Sequence, residues 1–239
     1  MQSKVAPKMH NIISPSKSSK NDIQKYFHVD TSKIHVIPNG IDTGIFKPNL
    51  VISKKPFKLI TTASADVPLK GLDFTLRAIA IAKDKYPLIN LVVIGKPRSG
   101  GHTERLISKL GIDEFVSFKT NLTNQEVSDE YASSQIAIVS SLYEGFGFPV
   151  GEAMACAVPL IATDVASIPE ITGPYAEMIT PESHEDIFNS LDNIFQSYDH
   201  YMKKANLGRD HILQNFSWSV IANSYIDHIS SILTSHADI

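Results

Sequence analysis

Tyr143-Glu144-Gly145-Phe146-Gly147-Phe148-Pro149-Val150-Gly151-Glu152-Ala153-Met154-Ala155 follows the apolar run Gln135 to Ser140, and Pro149 suits the first turn of a helix. The stretch reads as a turn from a buried strand into a helix that Pro149 opens. Glycine at 145, 147 and 151 lets a ligand approach the backbone closely. The N–H groups at the helix start, with the helix dipole behind them, then make a seat for an anion such as a diphosphate. Phe148-Pro149-Val150 separate Gly147 from Gly151, so the glycines do not spell the G-x-G-x-x-G of dinucleotide enzymes and no nicotinamide cofactor is expected.

On either side, short β-branched runs alternate with longer amphipathic segments. Strands are expected at Lys58 to Thr62, Asn90 to Gly95, Phe115 to Phe118, Gln135 to Ser140, Pro159 to Thr163 and Glu177 to Thr180. Leu91-Val92-Val93-Ile94 and Ile136-Ala137-Ile138-Val139 are apolar on successive residues, the mark of strands covered on both faces. Leu72, Leu76, Ile79, Ala80 and Lys83 recur at helical spacing, and Pro87 stops that helix. Leu110-Gly111 marks another helix end, and Thr123 with Glu126 forms a capping box. Repeating this unit predicts an α/β fold: a Rossmann-like, doubly wound parallel sheet with extra C-terminal helices and a ligand site beyond the carboxyl ends of its strands.

Four segments follow from this reading. Residues 1–33 carry one strand (Asn11-Ile12-Ile13) and one polar helix from near Ser18, and 34–50 form a connector with turn signals at Pro38-Asn39-Gly40 and Lys47-Pro48-Asn49. Residues 51–215 form the Rossmann-like domain, and 216–239 a last helix with Trp218, Ile221, Tyr225, Ile226 and Ile229 on roughly one face. The helices beyond Glu182 are expected to brace the core.

Composition excludes several classes. The 239 residues are 43% apolar and 20% charged, which is globular. The formal charge of −3 and the lack of any Lys/Arg-rich block argue against a nucleic-acid partner. No continuously apolar stretch approaches the roughly 18 residues of a membrane span, and no apolar run follows the first residues as a secretory signal would require. Cys156 lies alone in an apolar run, which fits a reducing compartment, and a cytoplasmic location is expected. Nine histidines are scattered without ligand spacing, and no D-x-D, H-E-x-x-H or G-x-S-x-G occurs, so no metal site and no serine hydrolase are expected.

Three side chains remain as candidates for chemistry. Glu144 precedes the glycine turn and Glu152 is expected in the first helical turn, so both carboxylates are placed to accept hydrogen bonds from paired hydroxyls of a sugar or ribose. A lone glutamate there more often just complements a helix N-terminus, but the three glycines and the spacing favour a binding role. Lys70 precedes a helix on the same edge, where it would neutralise phosphate charge, although an isolated loop lysine is commonly only solvated.

Ile37-Pro38-Asn39-Gly40-Ile41-Asp42 with Phe46 and Pro48, then Pro68-Leu69-Lys70-Gly71-Leu72, then Glu144 with Glu152 in an E-x7-E setting resemble group 1 (family 4) glycosyltransferases. The resemblance runs from about Asn11 to about Tyr225 and implies the carboxy-terminal, nucleotide-sugar-binding half of a GT-B fold. It implies a metal-independent, retaining hexosyltransferase of polysaccharide biosynthesis whose substrate is a UDP- or GDP-sugar, with no further cofactor. By the resemblance Glu144 contacts the sugar, Glu152 the ribose and Lys70 the diphosphate, with Glu144 and Lys70 as the catalytic pair. Gly145, Phe146, Gly147 and Phe148 would supply backbone donors. Ser64 stands where many members place an arginine, and Ala157 where they place glycine. Residues 1–33 would be the end of an acceptor domain, whose absent remainder leaves the connector side and the last helix apolar. A separate acceptor-domain polypeptide or a second copy of this chain would complete the cleft; the alternative is a non-catalytic nucleotide-sugar-binding subunit.

Overall fold

A computed structural model describes residues 2–237. Helix α1 (Gln2–Val5), strand β1 (Ile12–Ser14), helix α2 (Lys17–Phe27) and strand β2 (Ile34–Val36) come first. β1 and β2 pair in parallel as a two-stranded sheet, so the segment read as a connector begins with a strand. There follow β3 (Lys58–Thr62), α3 (Leu72–Lys85), β4 (Asn90–Ile94), α4 (His102–Leu110), β5 (Val116–Lys119), α5 (Asn124–Ala132) and β6 (Ile136–Val139). Next are α6 (Phe148–Ala155), β7 (Leu160–Thr163), α7 (Ile168–Thr172) and β8 (Glu177–Ile179), then α8 (His184–Gln196), α9 (Tyr198–Asn215) and α10 (Trp218–Ala237).

The six later strands form one wholly parallel sheet in the order β5-β4-β3-β6-β7-β8. Numbered from β3, this is the doubly wound order 3-2-1-4-5-6, and its winding reverses between β3 and β6. The successive apolar residues of the central strands divide by the period of two. Leu59, Leu91, Ile136 and Ile138 enter a core with α3, α4 and α8, while Ile60, Ala137 and Val139 enter the opposite core with α5, α6 and α9.

Local signals hold at element ends. Gly111 ends α4 at φ 61°, and Thr123 and Glu126 form the capping box of α5. Pro149 is the second residue of α6 rather than the first, because Gly147 at φ 101° caps the helix and Phe148 opens it. Cys156 is buried. At the far end, α8 and α9 brace the core, but α10 departs from that expectation. Ile221 is 2% exposed, whereas Trp218, Ile226, Ile229 and Leu233 lie between 51% and 66% exposed, and further along the helix the ring of His228 meets that of His35 on β2, their centroids 4.2 Å apart and their planes tilted by 46°. No described helix is long and apolar enough to cross a membrane.

Candidate nucleotide-sugar site

The loops after β3 and β6 meet at the reversal point of the sheet. Asp66, in the left-handed region at φ 61°, accepts the N–H groups of Arg98 (2.8 Å) and Thr103 (2.9 Å), which ties the first loop to the start of α4. The loop then makes a 3-10 turn at Pro68–Lys70 and reaches Gly71, also at φ 61°. A Cβ on Gly71 would lie 1.9 Å from the Ser140 carbonyl oxygen, so the close approach of the two loops requires glycine. The Ser140 hydroxyl donates to the Gly71 carbonyl at 2.9 Å, and the Leu142 N–H donates to the Leu69 carbonyl at 2.8 Å.

This clamp brings Lys70 to Glu144. Lys70 Nζ is 2.8 Å from Glu144 Oε1, which also accepts the Ser141 hydroxyl at 2.8 Å. Lys70, Ser64, Thr62, Gly95, Lys96 and Pro149 line one cleft of about 380 Å³. The glycine turn beside it is held by its carbonyls. Ser16 and Ser19 donate to the Gly145 oxygen at 2.9 and 3.0 Å, and the Ser167 hydroxyl reaches the Glu144 and Phe146 oxygens at 2.8 and 2.7 Å. With the carbonyls engaged, the N–H groups of Gly145, Phe146, Gly147 and Phe148 donate to no acceptor among the described residues. Unpaired backbone donors in a row, next to an ammonium group, suit an anion.

Glu152 lies elsewhere than expected. It is the fifth residue of α6, not part of the first turn, so it does not complement the helix N-terminus. It lines a neighbouring groove of about 210 Å³ with Gly40, Ile41, Asp42, Phe46, Asn124, Phe148 and Trp218. Burial pushes its carboxyl up to about 7. Lys70, Ser64 and Glu144 thus come together, and Glu152 stands across Phe148 and Pro149 from them. The serines that hold the turn gave no sequence signal, since Ser16 and Ser19 lie more than 120 residues from Gly145. Among the described residues no three His, Cys, Asp or Glu side chains gather as a metal site would need.

A parallel sheet wound this way, with a glycine turn and a lysine–glutamate pair at its reversal point, is the carboxy-terminal, Rossmann-like half of a GT-B glycosyltransferase. The chain belongs to the family described as glycosyl transferases group 1, whose profile matches residues 45–211; the profile of glycosyltransferase family 4 matches residues 1–44. It is 33% identical over 225 residues to the MMP alpha-(1->4)-mannosyltransferase of Mycolicibacterium hassiacum, covering 93% of this chain and 54% of that protein. It is 28% identical over 207 residues to the D-inositol 3-phosphate glycosyltransferase of Mycolicibacterium smegmatis, covering 80% of this chain and 46% of that protein. The chain spans about half the length of these curated relatives. Among solved structures, HepE of Anabaena in complex with UDP and glucose superposes with a TM-score of 0.84 at 18% identity, covering 95% of this chain and 65% of that one. The C-terminal domain of the group 1 glycosyl transferase LpcC of Francisella tularensis superposes at 0.65 with 26% identity, covering 75% of this chain and 100% of that domain.

Proposed function

We propose that this chain binds a nucleoside-diphosphate hexose, a UDP- or GDP-sugar, and supports retaining transfer of the hexose to an acceptor without a metal ion. The observation that carries this reading is the Lys70–Glu144 ion pair beside four unengaged backbone N–H groups. Lys70 and those N–H groups would take up the negative charge that grows on the diphosphate as the bond from the sugar carbon to the phosphate oxygen breaks, and Glu144 would orient the sugar. Glu152 would accept the ribose hydroxyls. HepE, solved with UDP and glucose, lends support from the same fold, and the mannosyltransferase relative supports a hexose donor. The exposed apolar side chains of α10 fit a partner that supplies acceptor contacts, either a separate polypeptide or a second copy of this chain.

Titration calorimetry with UDP, GDP and ADP and their hexose conjugates tests the reading. Binding that survives chelator and falls at least about tenfold in Lys70→Ala, but less in Lys96→Ala, is expected. Both lysines line the cleft, but only Lys70 adjoins Glu144 and the glycine turn. An unchanged affinity in Lys70→Ala would place the phosphate elsewhere.

A further inference from the structure

The carbonyls of the glycine turn are held from two directions, and one of them is the amino-terminal layer. Ser16, 3% exposed, caps α2: its Oγ accepts the Ser19 N–H at 2.9 Å, and its own hydrogen goes to the Gly145 oxygen at 2.9 Å. Ser19 donates to the same oxygen at 3.0 Å. One turn further along α2, Asp22 accepts the Tyr143 hydroxyl at 2.6 Å, which lays the helix against the start of the turn. The helix itself has no donor to spare at this end. Lys17 and Ser18 give their N–H groups to Glu170, Ser19 to Ser16 Oγ and Lys20 to the Ser16 carbonyl. An anion beside α2 therefore finds its free backbone donors in the turn, not in the helix.

The peptide between Gly145 and Phe146 is trans, so its carbonyl and its N–H point in opposite directions. Holding the Gly145 oxygen towards α2 holds the Phe146 N–H away from it. Without that hold, Gly145 leaves the peptide free to turn over and present its oxygen, not its N–H, to an anion. Two hydroxyls on one carbonyl also polarise the peptide and strengthen the N–H on its far side as a donor. We propose that Ser16 and Ser19 are positioning residues for the diphosphate: their hydroxyls fix the Gly145 carbonyl and so set the Phe146 N–H as a phosphate donor. This rests on the reading of the glycine turn as the diphosphate seat. Neither serine touches the phosphate; both act through the Gly145–Phe146 peptide.

The test uses the full chain and begins without ligand. ¹⁵N relaxation in the parent and in Ser16→Ala/Ser19→Ala reads the order of residues 145–148 and of α3. Order parameters in the turn should fall from about 0.85 towards about 0.6 while those of α3 hold, and an unchanged turn overturns the proposal. Should the double variant, which loses the cap of α2, fail to fold, Ser19→Ala keeps that cap and is read in the same way. UDP and GDP are then titrated beside uridine and guanosine. Ser19→Ala should weaken both diphosphates about three- to tenfold, and the double variant more, with the nucleosides within about twofold of the parent. Ser19→Thr, which returns a hydroxyl to the position, should recover most of the loss. A loss equal for nucleosides and diphosphates marks a merely structural role and refutes the positioning, as does a diphosphate affinity unchanged in both variants. A turn that loosens when the serines are removed, in a chain whose parent binds neither diphosphate, retains their hold on the turn and sinks the diphosphate reading alone.

Discussion

Lys70 and Glu144, 74 positions apart in the chain, form an ion pair at 2.8 Å in which the lysine side chain is 29% exposed and the glutamate 11%. A diphosphate that binds Lys70 must therefore share its ammonium with Glu144. In the proposed function the carboxylate would compete with the diphosphate for the lysine, which it pairs in the cleft at 2.8 Å.

Glu144→Ala should accordingly have opposite effects on two ligands. A bare nucleoside diphosphate, freed from competition for Lys70, should bind severalfold more tightly, on the scale of about 1 kcal/mol for a partly exposed pair. The nucleotide sugar should gain nothing or bind more weakly, since its sugar loses a partner. Parallel titrations of UDP and UDP-glucose read the two effects, and equal changes in both would refute the division of roles.

Glu152 should make the fold pH-dependent. Burial pushes its carboxyl up to about 7 in the folded chain, from an ordinary value of 4.5. Across that window the folded chain holds a proton that the unfolded chain has released, so stability falls as pH rises and the penalty is complete above about pH 7. Its upper bound is about 3 kcal/mol. Glu152→Gln should melt several degrees higher than the parent at about pH 8, with a much smaller difference at about pH 5, while losing nucleotide affinity. Thermal melts at the two pH values check it.

Ala157 closes α6 in a conformation that suits another residue. Its N–H bonds the Met154 carbonyl at 2.9 Å and that of Val158 bonds the Ala153 carbonyl at 3.1 Å, the Schellman pattern, with Ala157 at φ 51°. A Cβ in the left-handed region costs about 1–2 kcal/mol, and the greater freedom of glycine in the unfolded chain offsets part of the gain. Ala157→Gly should be more stable by about 0.5–1 kcal/mol, and a lower melting temperature would contradict the strain.

Glu170 joins the amino-terminal layer to the sheet domain. Its carboxylate accepts the N–H groups of Lys17 (2.8 Å) and Ser18 (2.9 Å), capping α2 from α7. Glu170→Ala should cost about 1–2 kcal/mol and speed amide exchange along Lys17–Phe27 more than in α3. Exchange that rises equally in both helices would mean a global loss instead.

Sequence alone located most of the strands and helices and the glycine turn. The β-branched runs, the capping box at Thr123, the helix end at Gly111 and the glycine turn at 145–151 are local signals, each set by residues within a turn or a strand of one another. Only the tertiary structure decided how those pieces serve one another. The meeting of Lys70 with Glu144 depends on Gly71 passing under Ser140, and the row of N–H groups without an acceptor depends on Ser16, Ser19 and Ser167 holding the carbonyls of the turn. The same holds for β2 pairing with β1, Glu170 capping α2, and the Tyr131 hydroxyl meeting Thr62 from a helix whose own pattern marks it only as core. Those contacts span tens to more than a hundred residues, and their energies arise from packing and hydrogen bonds formed only once the sheet has brought its loops to a common edge.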